Sequence, residues 1–210
     1  MHLHLPPRVP VRVDLLIFLH GVGSSGADLV PLAGEWAGRT GLAVAAPDAP
    51  FPFDLAAVGR QWFSVAGVTD ENRPGRVEEA AAAFDAVVDG EMRLAGTSET
   101  HTALIGFSQG TIMALDALGR GRHFAGVLGY SGRLGRPPKA TIDRRPVLLV
   151  HGDADPMIPV GEAIAARHAL EAAGAIADFA RIPDGGHGIG PEAAMVGFGF
   201  LQRLVAGEED

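Results

Sequence analysis

The chain has no cysteine among its 210 residues. That excludes disulfides, a thiolate nucleophile and any metal site built on cysteine. Basic residues are also scarce: 17 Lys and Arg against 25 Asp and Glu leave a formal charge of −8. A chain so short of positive charge lacks the electrostatic footprint of a nucleic-acid partner or of a basic membrane-binding face. Aromatic residues are only 6% of the total, so any place where they gather is informative. No apolar stretch approaches the ~18 residues needed to span a bilayer. The opening Met-His-Leu-His-Leu-Pro-Pro-Arg lacks the charged and then apolar segments of a secretion signal. The expectation is a cytoplasmic protein without stable membrane insertion. No histidine pair has helical H-x-x-x-H spacing, so no metal and no cofactor is expected.

What is present is a large apolar fraction, 47%, enough for one substantial core. No internal repeat, linker or composition break divides the chain, so residues 1–210 read as one domain. Strand patterns near 14–20, 42–47, 102–107, 124–130, 146–151 and 176–182 alternate with helical patterns near 26–39, 76–95, 109–121, 160–174 and 191–206. The strands are near-continuous apolar runs, which implies burial on both faces and a mostly parallel sheet flanked by helices. The fold class is therefore α/β, with no length left over for a cap domain. Residues 208–210, Glu-Glu-Asp, read as a frayed acidic tail.

Residues 104–110, Leu-Ile-Gly-Phe-Ser-Gln-Gly, put one serine between two glycines, directly after an apolar run and before a helical pattern. This is the pattern of a nucleophile elbow, in which a cramped strand-to-helix turn exposes the serine Oγ above the sheet. In a chain with 29 glycines the pattern alone is weak, and its context carries the argument. The strand 146–151 ends in Gly152-Asp-Ala-Asp-Pro156, and the strand 176–182 ends in Pro183-Asp-Gly-Gly-His187. A Ser, an Asp and a His thus each follow a separate strand, in the chain order of α/β-hydrolases.

Each group has a chemical task. Ser108 needs a base to take its proton as it attacks, and His187 is the candidate. The imidazole needs a carboxylate to fix its tautomer. Asp153 and Asp155 compete for that role; Asp155 is assigned to it, and Asp153 to hydrogen bonding in its turn. Oxyanion donors are expected at the backbone N–H of Gln109, after the nucleophile, and of Val22, in the turn that follows the first strand. His20 and His151 end strands and read as holding turn backbone. His101, His123 and His168 read as solvated, and Ser131 as a turn residue.

Residues 48–75 form a connection too long to be incidental. It gathers Phe51, Phe53, Trp62 and Phe63 in a chain poor in aromatics. They are either a satellite core or the wall of an acyl pocket, since loops at the carboxyl ends of parallel strands surround the ligand crevice. With Met157 and Ile158 from the loop after Asp155, they are the candidate substrate-binding residues of an open apolar groove.

Phe18-Leu-His-Gly-Val-Gly23, Gln61-Trp-Phe63, Gly106-Phe-Ser-Gln-Gly110, His151-Gly-Asp-Ala-Asp-Pro-Met-Ile-Pro159 and Gly186-His187 together resemble the phospholipase/carboxylesterase family, which includes the acyl-protein thioesterases. The resemblance covers nearly the whole chain. It implies a single-domain α/β-hydrolase acting on short- to medium-chain carboxylic esters, lysophospholipids or acyl thioesters. It aligns Ser108, Asp155 and His187 with the family triad, and Val22 and Gln109 with its oxyanion donors. The chain departs from the family in a short lead-in to its first strand and in Gln61-Trp-Phe-Ser64, where the family has Trp-Phe-Asp. The expected partner is a small ester or thioester, with a homodimer possible in principle. Two other readings are weighed: a dienelactone-hydrolase-like enzyme, which would attack with cysteine, and an inactive hydrolase-fold binding module, which would lack part of the triad.

Overall fold

The structure is a computed structural model that describes residues 12–206. The short lead-in and the acidic tail lie outside the described residues. Six strands, β1 (Leu15–Leu19), β2 (Ala43–Ala45), β5 (Thr102–Phe107), β6 (Gly126–Tyr130), β7 (Pro146–Gly152) and β8 (Ile176–Ile182), form one sheet in the order β2-β1-β5-β6-β7-β8. Every pairing in it is parallel. Two further strands of two residues each, β3 (Phe51–Pro52) and β4 (Arg60–Gln61), pair antiparallel within the long connection. Periodicity could not reveal a ladder that short.

The helices are α1 (Val30–Thr40), α2 (Arg73–Ala95), α3 (Gln109–Gly119), α4 (Val160–Ala172) and α5 (Pro191–Val205). The expected first helix starts instead as a 3₁₀ turn, Gly26–Leu29, and α2 begins earlier than its periodicity, at Arg73 with Pro74 in its first turn. Successive side chains of a strand point to opposite faces, and both faces here are covered. Leu15, Ile17 and Leu19 of β1 join Val77 and Phe84 of α2, Met113 of α3 and Leu170 of α4. Leu16 and Phe18 join Trp36 of α1 and Phe198 and Leu201 of α5 on the other side. Double burial is why the strands carry no polar alternation. The edge strands β2 and β8 are the exceptions, being only partly buried over most of their length.

Candidate active site

The elbow is built as the sequence implies. Ser108 stands between β5 and α3 with φ 51° and ψ −112°, a conformation that costs about 1–3 kcal/mol and persists only where the surroundings enforce it. The flanking glycines are a steric necessity. A Cβ on Gly110 would lie 2.1 Å from the Leu19 carbonyl oxygen, and one on Gly106 would lie 2.5 Å from the Thr111 nitrogen. Only bare backbone lets β1, β5 and α3 approach closely enough to lift Ser108 above the sheet.

The loops after β7 and β8 bring two more groups to it. His187 Nε2 lies 3.0 Å from Ser108 Oγ, and His187 Nδ1 lies 2.7 Å from Asp155 Oδ2. The other carboxylate oxygen, Asp155 Oδ1, accepts the N–H groups of Met157 at 2.8 Å and Ile158 at 2.9 Å. The Asp155 side chain is fully buried. Burial pushes its carboxyl pKa up, but the N–H groups of Ile158 and Met157 and the His187 ring outweigh that and hold it below the usual carboxylate value. An ionised carboxylate beside Nδ1 keeps the Nδ1–H tautomer, which leaves the Nε2 lone pair facing Ser108.

Asp153, the competing carboxylate, points elsewhere. Its Oδ1 accepts the N–H of Asp184 at 2.7 Å, across in the turn that precedes His187. It therefore braces the neighbouring turn, where the sequence reading has it bonding its own.

The turn after β1 lies against the nucleophile: a Cβ on Gly21 would stand 3.3 Å from Ser108 Cβ. His20 is fully buried beneath this turn. Its Nε2 accepts the Ala49 N–H at 2.9 Å, so Nδ1 carries the proton and donates to the Gly21 carbonyl at 2.7 Å. C=O and N–H of one trans peptide point in opposite directions. Pinning the Gly21 carbonyl downward therefore turns the Val22 N–H the other way. Gln109 is the first residue of α3, so its N–H has no acceptor within the helix.

Burial lowers the His20 pKa below its ordinary 6.5. Protonation would set an N–H against the Ala49 N–H, so the unfolded chain takes up that proton first. By linkage, the His20 contribution to stability is complete above about pH 6.5 and is lost as pH falls below it. The urea midpoint should therefore start to decline as pH falls below about 6.5, and His20→Gln should flatten that decline. A wild-type midpoint that stays constant there would contradict the assignment.

The side chain of Gln109 has a task that its sequence position did not reveal. Its Oε1 accepts the Trp62 N–H and its Nε2 donates to the Phe63 carbonyl, both at 2.7 Å. This clamps the long connection to the elbow. Trp62 itself is placed differently from expectation. It is fully buried, with its Nε1 donating to the His20 carbonyl at 2.8 Å and its ring edge-on to Phe84. An indole whose N–H has a partner in the interior belongs to the core, so Trp62 offers no wall to a ligand.

The candidate substrate residues do not share one surface. Phe51 and Phe63 line an open groove of about 940 Å³ between the β3–β4 ribbon and the start of α2, but so do Asp54, Arg76 and Glu79. The groove is amphipathic where an apolar one was expected. Phe53 packs over Gly23 in the turn after β1, and Met157 is exposed beyond Asp155. Neither of these, nor Ile158, lines the groove.

Among the remaining histidines, His123 and His168 are exposed and His101 is half-exposed, 3.5 Å from the Asp14 carboxylate. Ser131 occupies a left-handed turn after β6, with its N–H on the Val150 carbonyl. Among the described residues no three His, Asp or Glu side chains come together as a metal site. No helix among them is long and apolar enough to cross a membrane.

The sequence profile of the Phospholipase/Carboxylesterase family matches residues 7–204. The chain belongs to that family. It is a carboxylic ester hydrolase by kinship, with the α/β-hydrolase fold. It is 35% identical over 206 residues to esterase YpfH of Escherichia coli (strain K12), covering 95% of this chain and 86% of that protein. The crystal structure of esterase PE8 superposes with a TM-score of 0.84 at 28% identity, covering 95% of this chain and 98% of that one. A protein of Oryza sativa subsp. japonica named, with a qualifier, as an inactive carboxylesterase is 27% identical over 172 residues, covering 74% of this chain and 69% of that protein.

Proposed function

We propose that this family member cleaves short- to medium-chain carboxylic esters by a covalent acyl-enzyme route, with Ser108 as nucleophile, His187 as general base and acid, and Asp155 as the group that orients His187. The observation that carries this reading is the unbroken chain from Ser108 Oγ through both ring nitrogens of His187 to Asp155 Oδ2, at 3.0 and 2.7 Å. As Oγ bonds to the ester carbonyl carbon, its proton passes to His187 Nε2. The carbonyl oxygen becomes an oxyanion facing the N–H groups of Val22 and Gln109. The carbon–oxygen bond to the alcohol then breaks, and His187 returns the proton to the departing oxygen. Water gives its proton to His187 as it attacks the acyl-serine, and release of the acid restores Ser108. A thioester or a lysophospholipid would pass through the same steps, differing only in the leaving group.

The two rival readings lose ground on particular residues. A dienelactone-hydrolase-like enzyme would carry cysteine where this chain has Ser108. A binding module without activity would have no reason to keep all three groups in mutual contact and the elbow strained. The chain's likeness to a protein named as inactive does not outweigh that geometry.

Acyl selectivity is read from the groove that Phe63 lines, which is tied to the elbow through the Gln109 clamp on residues 62 and 63. Phe63 is the residue whose carbonyl Gln109 grips, so the groove begins one side chain from the nucleophile's helix. Each buried methylene should raise kcat/KM close to fourfold, about 0.8 kcal/mol, until the apolar stretch is filled. With Asp54, Glu79 and Arg76 sharing the lining with the aromatics, the gain should stop at about four to eight carbons. The test is kcat/KM for p-nitrophenyl esters from acetate to dodecanoate. Both rings pack in the core, so either alanine variant should lower stability by about 3–5 kcal/mol, but only Phe63→Ala should flatten the rise while sparing acetate. Parallel curves for wild type and Phe63→Ala would show that the acyl chain lies elsewhere.

A further inference from the structure

His151 ends β7 as a fully buried imidazole that the reaction above does not use. Its Nε2 faces two acceptors, the Ile158 carbonyl at 2.9 Å and Asp155 Oδ2 at 3.2 Å. A lone pair there would meet two oxygens, so Nε2 carries the proton. The opposite ring nitrogen, Nδ1, is buried with no partner. An unmatched buried nitrogen is costly, and a phenyl ring would fill the same space without it but would leave the Ile158 carbonyl without its donor. Packing therefore does not account for an imidazole at this position. What only the imidazole supplies is the Nε2–H that the Ile158 carbonyl accepts and that stands 3.2 Å from Asp155 Oδ2.

We infer that His151 is a positioning residue for Asp155: it places its Nε2–H beside the carboxylate oxygen that holds His187 and anchors the Ile158 peptide that holds the other oxygen. The inference rests on the reading of Ser108, His187 and Asp155 as a triad. The arrangement closes a small ring of contacts. Asp155 Oδ1 accepts the Ile158 N–H, and the Ile158 carbonyl in turn accepts His151 Nε2–H. Oδ2 lies between the Nδ1–H of His187 and the Nε2–H of His151. The Met157 and Ile158 N–H groups fix Oδ1, and His151 anchors the Ile158 peptide through its carbonyl, so Oδ2 stays in line with His187. Outer groups that orient metal ligands in this way matter by about 10- to 100-fold, and an effect of that order is expected here.

The test uses p-nitrophenyl butyrate turnover by His151→Phe and His151→Gln, each alone and combined with Asp155→Asn. Gln can present its side-chain N–H where His Nε2 stood; Phe keeps the shape and removes the donor. His151→Phe should lower kcat about 10- to 100-fold with KM nearly unchanged, and His151→Gln should recover most of that loss. On the Asp155→Asn background His151→Phe should add little, because the two act through one group. The strongly downfield proton signal of His187 Nδ1–H should vanish in His151→Phe and persist in His151→Gln. Should His151→Phe not fold, His151→Asn, whose amide falls short of Asp155, replaces it in every comparison. Equal kcat for the Phe and Gln variants, or a full loss that persists on the Asp155→Asn background, would overturn the inference. Wild type without ester turnover would instead overturn the triad reading itself.

Discussion

Ser108→Ala and His187→Ala should each lower kcat by about 10⁵ to 10⁶ while leaving the fold intact, and the double variant should be hardly worse than either single one. Groups that act as one unit in a serine hydrolase are strongly non-additive, because removing the nucleophile or the base alone already abolishes the covalent route. Stability should scarcely suffer. His187 is only part-buried, and Ser108→Ala removes one hydroxyl whose partner at 3.0 Å is that same ring. The left-handed Ser108 backbone is enforced by the close approach of Gly106 and Gly110 to their neighbours, so alanine must adopt it too. The measurement is kcat on a short p-nitrophenyl ester with thermal melting of each variant. Comparable losses in activity and in folded fraction would mean that the substitutions act on the fold and not on the chemistry.

Asp155→Asn should cost about 10⁴ in kcat, through the wrong histidine tautomer. The two backbone N–H groups on Oδ1, from Met157 and Ile158, fix the asparagine carbonyl on their side. Its amide N–H₂ then faces His187 Nδ1, which must become an acceptor. The proton moves to Nε2, the atom that has to accept from Ser108, and the base is lost. Asp153→Ala provides the contrast. It removes the acceptor of the Asp184 N–H and should cost about 1 kcal/mol of stability, with kcat changed only modestly. If Asp153→Ala abolished turnover without moving the melting temperature, and Asp155→Asn remained active, the two carboxylates would have to exchange roles.

Much of this was legible in the sequence, for identifiable reasons. The sheet strands announced themselves because burial on both faces leaves apolar runs such as Leu15–Leu19 with no polar interruption. The elbow was legible because its geometry excludes side chains at Gly106 and Gly110. The residues Ser108, Asp155 and His187, singled out from three strand ends, meet because a parallel sheet delivers every strand's carboxyl end to one edge. What stayed hidden depends on contacts between distant segments. The aromatic content of residues 48–75 was visible, but nothing local separates an indole that donates inward to His20, as Trp62 does, from a largely buried ring that still lines the groove, as Phe63 does. The amphipathic character of that groove arises where the β3–β4 ribbon meets the first turns of α2, two segments unrelated by any period. The same holds for Gln109: its backbone role follows from its position after the nucleophile, whereas its side-chain grip on residues 62 and 63 spans 47 and 46 positions.

The most direct test of a covalent route through Ser108 is mass spectrometry of the intact protein after reaction with a fluorophosphonate. One adduct per chain is expected, mapped to the peptide bearing Ser108, absent in Ser108→Ala and formed far more slowly in Asp155→Asn. An unlabelled Ser108 in folded protein that still turns over esters, or a stoichiometric adduct on any other residue, would contradict that route.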